Sequence, residues 1–240
     1  PHILHTQFDP LSLRGKKELV KELEEKFSLP HWASMIEQLA VLSIQNYRQG
    51  QPTEELWPAE TIPAPEFLIY PILYKNKPTL LFGEGSAGKS YLALALALLT
   101  ELPYSDNPLG LTPQKANALY LDYESDTLEV KKRLSALVKG FNIPDTPVLY
   151  RECTLPLAED IDSIEQIIVE NNIGFVIIDS LGLASANGSL NDATTATSFY
   201  AALRRLKTTS LIITHIAKDL ENKKASPYGS IYFTNLARSV

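Results

Sequence analysis

Hydrophobic positions recur along this chain with two different spacings. Residues 11–49 carry apolar side chains three and four positions apart, which predicts two amphipathic helices. From Phe67 onward, short apolar runs of strand length alternate with helical patterns, an order typical of a mainly parallel sheet with helices on both faces. We therefore predict a small helical segment over 1–50, a proline-rich linker over 51–66 and an α/β domain over 67–240.

The apolar runs of the α/β domain predict its strands, and the stretches between them predict its helices. The strands are expected at 79–82, 118–122, 148–150, 174–179 and 211–214, and the helices at 126–139, 160–171 and 193–207. Leucine alternates with alanine over much of 91–99, a spacing that alone would indicate a strand. Because alanine is the best helix former and a poor strand former, we predict a buried helix there.

Residues 83–90 match the G-x-x-x-x-G-K-[ST] pattern of the nucleotide-binding P-loop. Its glycines allow the loop to curl until successive N–H groups point at one anion, and the following helix adds its partial positive end. Lys89 is expected to reach the β- and γ-phosphates of ATP, and the Ser90 hydroxyl to ligate Mg²⁺. The alternative is a glycine-rich turn that happens to contain Lys-Ser. The predicted nucleotide-binding residues are Gly83, Glu84, Gly85, Ser86, Ala87, Gly88, Lys89, Ser90 and Tyr91.

Asp179 ends the apolar run 175–178, the form of a Walker B strand. A carboxylate at this point can hold Mg²⁺ through its water shell, opposite Ser90. The alternative role is an aspartate that caps the next turn. We predict that Ser90 and Asp179 form the metal site.

Hydrolysis also needs a group that orients the attacking water, and the residue after the Walker B aspartate is Ser180 rather than a glutamate. Glu124 is the candidate base, because it follows the strand 118–122, which we expect to lie close to the P-loop strand. Its alternative role is to cap the next helix or to lie in its first turn. Asp122 and Asp126 are lesser candidates for the base.

His215 follows the apolar strand 211–214, at a fourth strand end. It could donate a hydrogen bond to the γ-phosphate or to the base and so report whether the nucleotide is intact. The alternative is a structural histidine. Because ligands collect at the carboxyl ends of the strands in such sheets, we expect all four strand ends to meet around one triphosphate.

Composition limits the other possibilities. The chain has 240 residues and a net charge of −6, so its surface as a whole does not attract nucleic acid and any DNA contact must be local. Its longest apolar run, 91–99, is about half the length of a membrane span. We do not expect secretion, because the first residues lack the basic-then-apolar pattern of a secretory leader. Cys153 is the single cysteine, which suits a reducing cytoplasm and a core thiol rather than a nucleophile. Since the sequence begins Pro-His and stops without a polar tail, we expect a piece of a longer protein.

These motifs together resemble the RecA-like ATPases, and more closely the RepA-like branch of hexameric replicative helicases. The resemblance covers residues 62–240 through the blocks GEGSAGKS, LDYES, FVIIDSLG, LIITHIAKD and YGSIYFTNLARSV. The glutamate outside the Walker B strand and the strand-terminal Thr-His are its more specific marks, and they separate the chain from the AAA+ pattern with Asp-Glu on one strand.

The resemblance implies a homo-oligomeric ring in which ATP lies between subunits and a neighbour supplies a basic residue. By motif, Arg238 is the candidate arginine finger, with Arg204, Arg205 and Lys218 as alternatives. The alternative for Arg238 is an ordinary surface salt bridge.

The resemblance also implies channel loops that contact single-stranded DNA, here residues 186–191 and 220–226. Lys223 and Lys224 could meet phosphates, although a two-lysine turn is more often simply solvated, and the loops lack aromatic residues for stacking. Two functions follow as hypotheses: a ring-forming ATPase motor on single-stranded DNA, or an ATP-controlled assembly switch without unwinding. A GTPase would need Asn-Lys-x-Asp and a small-molecule kinase an arginine-bearing lid, and we find neither.

Overall fold

The computed structural model of the chain describes residues 9–27, 31–49, 55–58, 61, 64–185, 192–216, 231–237 and 239. Contacts divide the chain into two compact units, Pro1–Ile62 and Pro63–Val240. The division falls inside the proline-rich segment. None of the helices in the described residues is both long and apolar enough to cross a bilayer.

In its described residues the first unit contains two helices, α1 (Leu13–Lys26) and α2 (Trp32–Gln49). The Ser12 hydroxyl accepts a hydrogen bond from a backbone N–H of the first turn of α1 at 3.1 Å, which makes Ser12 its N-cap. An ion pair of 2.7 Å between Lys16 and Glu37 joins the two helices. The prediction of two helices from the apolar spacing is confirmed.

The second unit contains both strands and helices. In chain order they are β1 (Phe67–Tyr70), β2 (Leu73–Tyr74), β3 (Pro78–Gly83), α3 (Lys89–Glu101), β4 (Thr112–Pro113), β5 (Asn117–Asp122), α4 (Thr127–Phe141), β6 (Leu149–Glu152), α5 (Ile161–Glu170), β7 (Ile173–Asp179), α6 (Leu181–Ala184), α7 (Ala193–Leu206), β8 (Thr209–His215) and α8 (Ile231–Leu236). Five strands form a parallel sheet in the order β3-β8-β7-β5-β6. β2, β1 and β4 form a small antiparallel sheet that the apolar pattern did not predict.

The order of the parallel sheet corrects one prediction. β5 does not lie close to the P-loop strand β3, because β8 and β7 lie between them. β3 and β8 end level with each other, since Gly83 pairs with His215, and β5 and β7 do so too, since Asp122 pairs with Asp179. β8 extends two residues beyond β7, because Asp179 pairs with Ile213. In a parallel sheet the carboxyl ends share one edge, so these four residues lie along the same edge.

Apolar side chains on both faces of the sheet explain its nearly continuous apolar strands. On β5, Leu119 and Leu121 point to the core on the side of α5 and α7, whereas Tyr120 belongs to the core on the side of α3. The alternating Leu-Ala segment forms the helix α3, as predicted, and every residue from Ala93 to Thr100 is buried. This arrangement is an α/β RecA-like fold with helices on both faces of the sheet.

Candidate active site

The P-loop lies between β3 and α3, in the strand and helix context that the motif requires. Gly88 adopts a left-handed conformation with φ of 80° and forms the N-cap of α3, so a residue with a side chain would be strained there. Lys89 opens the helix, and its Nζ donates to the carbonyl oxygens of Gly83 and Glu84 at 3.0 and 2.6 Å. The lysine ammonium and the amino-terminal end of α3 therefore both favour an anion at this loop.

A cleft of about 830 Å³ opens beside this loop. One wall is the P-loop with the start of α3, and the other is the segment 124–133, which enters and begins α4. Asp179 and His215 also line the cleft, so residues from the ends of β3, β5, β7 and β8 share it. Its size suits a nucleotide-sized ligand.

Asp179 lies deep in the cleft and is only 5% exposed. The Tyr120 hydroxyl donates to its Oδ2 at 2.5 Å, and Ser90 lines the same cleft. Burial raises the pKa of Asp179 above its ordinary value and outweighs the hydrogen bonding that lowers it, and the nearby Glu124 and Asp122 carboxylates add to the rise. A raised pKa means that ionising this buried carboxyl group costs free energy, and a cation beside Asp179 would offset that cost.

The donor set fits magnesium bound together with a nucleotide. Asp179 and Ser90 offer hard oxygen ligands at one point of the cleft, next to the lysine that favours phosphate. Among the described residues, no group of three or more His, Cys, Asp or Glu side chains could hold a metal ion. A magnesium ion here would therefore take its remaining ligands from phosphate and water. The capping alternative for Asp179 finds no support, because Ser180 is the N-cap of α6.

Glu124 lines the same cleft from the turn that follows β5. Its carboxyl Oε1 lies 3.7 Å from Nε2 of His215, and both side chains are 48% exposed. The capping alternative for Glu124 is wrong, because the N-cap of α4 is Asp126, which accepts a hydrogen bond from the Glu129 N–H at 2.9 Å. Glu124 is thus available to a ligand in the cleft.

The two lesser candidates for the base already have structural partners. Asp126 caps α4, as described above. Asp122 is 1% exposed, and its carboxylate accepts hydrogen bonds from two backbone N–H groups and two hydroxyls. A buried carboxylate with four donors is poorly placed to take a proton from water. Of the three, Glu124 is the exposed carboxylate that does not cap a helix.

A family model described as an AAA domain matches residues 48–221, which is most of the chain. The chain belongs to this family. As an AAA domain of this kind it is a P-loop ATPase with a RecA-like fold, and the family occurs in helicase-like proteins. No curated protein matches the sequence.

The structure describes some of the other predicted site residues of this AAA domain, and they lie in different places. Tyr91 is 45% exposed and lines the cleft, with the Arg133 guanidinium 5.9 Å from its ring centroid. Arg205, an alternative arginine finger, makes ion pairs with Asp162 and Glu165 instead. Arg204, the other described alternative, lines a separate cleft. Arg238, Lys218 and both candidate DNA loops, 186–191 and 220–226, lie outside the described residues.

Cys153 is 8% exposed, and burial raises the pKa of its thiol to about 11. A thiol that stays protonated at neutral pH is a poor nucleophile, so the prediction of a core thiol is confirmed.

Sequence reasoning missed the tyrosines of this AAA domain. Tyr120 and Tyr150 pair in register on β5 and β6 and stack with ring centroids 6.4 Å apart. Each reaches a strand-end aspartate with its hydroxyl, Tyr120 to Asp179 and Tyr150 to Asp122. The available signal was a phenol two residues before a strand-end carboxylate, in the run Tyr120-Leu121-Asp122, but the strand order decides which aspartate each hydroxyl meets.

Proposed function

We propose that this AAA domain hydrolyses ATP in a magnesium-dependent reaction at the cleft beside the P-loop. The observation that carries the proposal is that Lys89, Glu124, Asp179 and His215, from four different strand ends, line one cleft. Residues 83–91 bind the triphosphate, with Lys89 at the β- and γ-phosphates. Ser90 and Asp179 would hold the metal, whose charge would offset that of the phosphates.

Glu124 acts as the general base. It accepts a proton from the water that attacks the γ-phosphorus, whose bond to the β,γ-bridging oxygen breaks to release ADP and phosphate; the half-exposed position of Glu124 in the cleft permits this role. His215 lies 3.7 Å from Glu124 and next to Gly83 in the sheet, so it can contact both the base and the γ-phosphate. That position suits a residue that senses whether the γ-phosphate is present.

Two variants test these roles by separating binding from turnover. Glu124→Gln should bind ATP as wild type does but hydrolyse it ~10²- to 10⁴-fold more slowly, the contribution of a positioned base. Lys89→Ala should lose nucleotide binding itself. Glu152→Gln is the matched control, because Glu152 also ends a strand but lies outside the cleft, and its turnover should stay at the wild-type rate. Wild-type turnover by Glu124→Gln would refute the base assignment.

We further propose that this ATP hydrolysis drives a ring-forming motor that acts on single-stranded DNA, as the resemblance to RepA-like helicases implies. The cleft supports it in one respect, because Glu124 and His215 remain 48% exposed on its open side. A neighbouring subunit can close that side and supply a cation to the transferring phosphoryl group. Arg238 is the first candidate for that cation, followed by Arg204 and Lys218, whereas the ion pairs of Arg205 count against it.

The second candidate function is an ATP-controlled assembly switch or clamp that does not unwind DNA. The net charge of −6 favours it, because contacts to DNA phosphates need local positive charge. ATPase activity should be measured with and without single-stranded DNA at low and moderate salt, and the assembly sized with and without a nonhydrolysable ATP analogue. Stimulation by DNA together with a ring supports the motor. Nucleotide-dependent assembly without stimulation at either salt supports the switch.

A further inference from the structure

The turn that carries Glu124 is organised around one buried carboxylate, that of Asp122 at the end of β5. Its Oδ1 accepts hydrogen bonds from the backbone N–H groups of Glu124 at 3.0 Å and Ser125 at 2.9 Å. Its Oδ2 accepts from the Ser125 hydroxyl at 2.7 Å and from the Tyr150 hydroxyl at 3.1 Å. Two of these four donors belong to the backbone that places Glu124.

The strands on each side fix the base of the same turn. The Tyr123 N–H donates to the Asp179 carbonyl oxygen on β7 at 2.7 Å, and the Cys153 N–H donates to the Asp122 carbonyl oxygen at 2.7 Å. Beyond Tyr123 the chain leaves the sheet. From there to the N-cap of α4 at Asp126, the Asp122 side chain provides the hydrogen bonds to the backbone of Glu124 and Ser125.

Tyr150 in turn constrains the Asp122 carboxylate. Its ring stacks on Tyr120, its hydroxyl points at Asp122 Oδ2, and burial raises the pKa of Tyr150 to about 12. The phenol therefore remains a hydrogen-bond donor at neutral pH. Asp122 is 1% exposed, so water does not compete strongly for these bonds.

The Glu124 carboxyl group itself is held more loosely. Its contact with His215 at 3.7 Å is longer than a hydrogen bond, and the side chain is 48% exposed. Its position in the cleft therefore depends on the backbone of the turn. A displacement of about 1 Å in a reacting group can reduce a rate ~10²-fold.

We propose that Asp122 is a positioning residue for hydrolysis: it fixes the turn that presents Glu124 to the attacking water, with Tyr150 holding Asp122 in place. This inference rests on the proposed role of Glu124 as the base. It assigns Asp122 a function through another residue rather than direct contact with the nucleotide.

The test compares Asp122→Ala with Asp122→Asn in the full chain. Alanine removes all four acceptor contacts, so kcat should fall ~10- to 100-fold while the affinity for ATP stays within about twofold of wild type. Asparagine keeps an oxygen that can accept both backbone N–H groups, and the Ser125 and Tyr150 hydroxyls can rotate to accept from its amide. Asp122→Asn should therefore recover most of the lost rate.

A double-mutant cycle shows whether Asp122 acts through Glu124. In single-turnover assays, Asp122→Ala should slow wild type ~10- to 100-fold but scarcely change the residual rate of Glu124→Gln, because a displaced base cannot matter where the base is absent. Asp192→Ala is the matched control. Asp192 accepts a backbone N–H at the start of α7, so its loss should lower stability by about 1 kcal/mol and leave kcat unchanged.

Three results would overturn the proposal. The first is an equal slowing by Asp122→Ala in both backgrounds, the second a loss of ATP affinity with kcat preserved, and the third an Asp122→Asn variant no better than alanine. If Asp122→Ala does not fold by circular dichroism, Tyr150→Phe takes its place, with a smaller fall in kcat, unchanged ATP affinity and the same dependence on Glu124 expected. An unchanged kcat in Tyr150→Phe would count against the proposal. Full-rate turnover by Glu124→Gln alone would instead refute the proposed function.

Discussion

Replacing Tyr120 with phenylalanine should weaken magnesium binding without unfolding the protein. The Tyr120 hydroxyl donates to Asp179 Oδ2 at 2.5 Å, and the two residues are 0% and 5% exposed. A hydrogen bond to a charged group contributes ~1.5–3 kcal/mol, and loss of a partner that orients a metal ligand weakens metal binding ~10- to 100-fold. We therefore expect Tyr120→Phe to weaken magnesium binding ~10- to 100-fold.

Phenylalanine isolates the effect of the hydroxyl. The ring keeps its size and its stacking on Tyr150, so no cavity is created in the core. Burial and the neighbouring Asp179 carboxylate raise the pKa of Tyr120, so the wild-type phenol is protonated and donates throughout the working pH range. The substitution therefore removes one donor and leaves the packing intact.

The assay is a magnesium titration of the binding of a fluorescent, nonhydrolysable ATP analogue. Tyr120→Phe should raise the half-saturating magnesium concentration ~10- to 100-fold relative to wild type. Tyr200→Phe is the matched control, since the buried Tyr200 hydroxyl donates to the Phe233 carbonyl oxygen at 2.8 Å, away from the cleft. It should cost about 1 kcal/mol of stability and leave the titration unchanged. Equal magnesium requirements in Tyr120→Phe and wild type would refute the reasoning.

Three further predictions concern stability and reactivity. Burial raises the pKa of Asp179 in the folded protein above its value in the unfolded chain. The protonated carboxyl group therefore favours the folded state at low pH, and this contribution to stability is lost as pH rises through the folded pKa, so that the ionised form opposes folding at neutral pH. Asp179→Asn should therefore raise Tm at pH 7 without nucleotide or metal while losing magnesium-dependent turnover, and the Tm gain should shrink at pH 4. A lower Tm at pH 7 would contradict this. Cys153, with a pKa of about 11, should react with a thiol reagent at pH 8 only after unfolding, and rapid labelling of the native protein would contradict its burial. Leu98→Ala removes a 0% exposed side chain and should lower the free energy of unfolding by ~2–5 kcal/mol in urea titrations, whereas a loss under ~1 kcal/mol would contradict its packing.

The fold could be predicted from local signals where those signals were strong. The strands β5, β7 and β8 are apolar runs that end at a polar residue, and such runs mark buried parallel strands without knowledge of their neighbours. The apolar pattern was not enough to predict helix α3, because its alternation favours a strand. The helix preference of alanine decided that case, and tertiary burial on all sides is consistent with it.

The order of the strands could not be predicted, because pairing joins residues that are distant in sequence. Nothing local to 118–122 indicates that β7 and β8 separate it from β3. The small antiparallel sheet could not be predicted for another reason. β2 and β4 have only two residues each, too few for a period of two to be visible.

In the candidate site, too, some residues could be predicted from local sequence and others could not. Lys89 and Ser90 followed from a motif of contiguous residues, and Asp179 from one strand and its end. Glu124, Asp122 and Asp126 lie within five residues of one another, and the sequence alone did not decide which of them is the base. Side-chain geometry separates them, since Asp126 caps α4, Asp122 is buried with four donors, and Glu124 faces the cleft.

The central claim is that residues from four strand ends act on one magnesium-bound triphosphate. A crystal structure of the chain with magnesium and a nonhydrolysable ATP analogue tests it most directly. We expect the phosphates inside the loop 83–90, the metal between Ser90 and Asp179, and the Glu124 carboxylate and His215 next to the γ-phosphate. An analogue bound away from that loop, or Glu124 turned out of the cleft in the bound state, would contradict it.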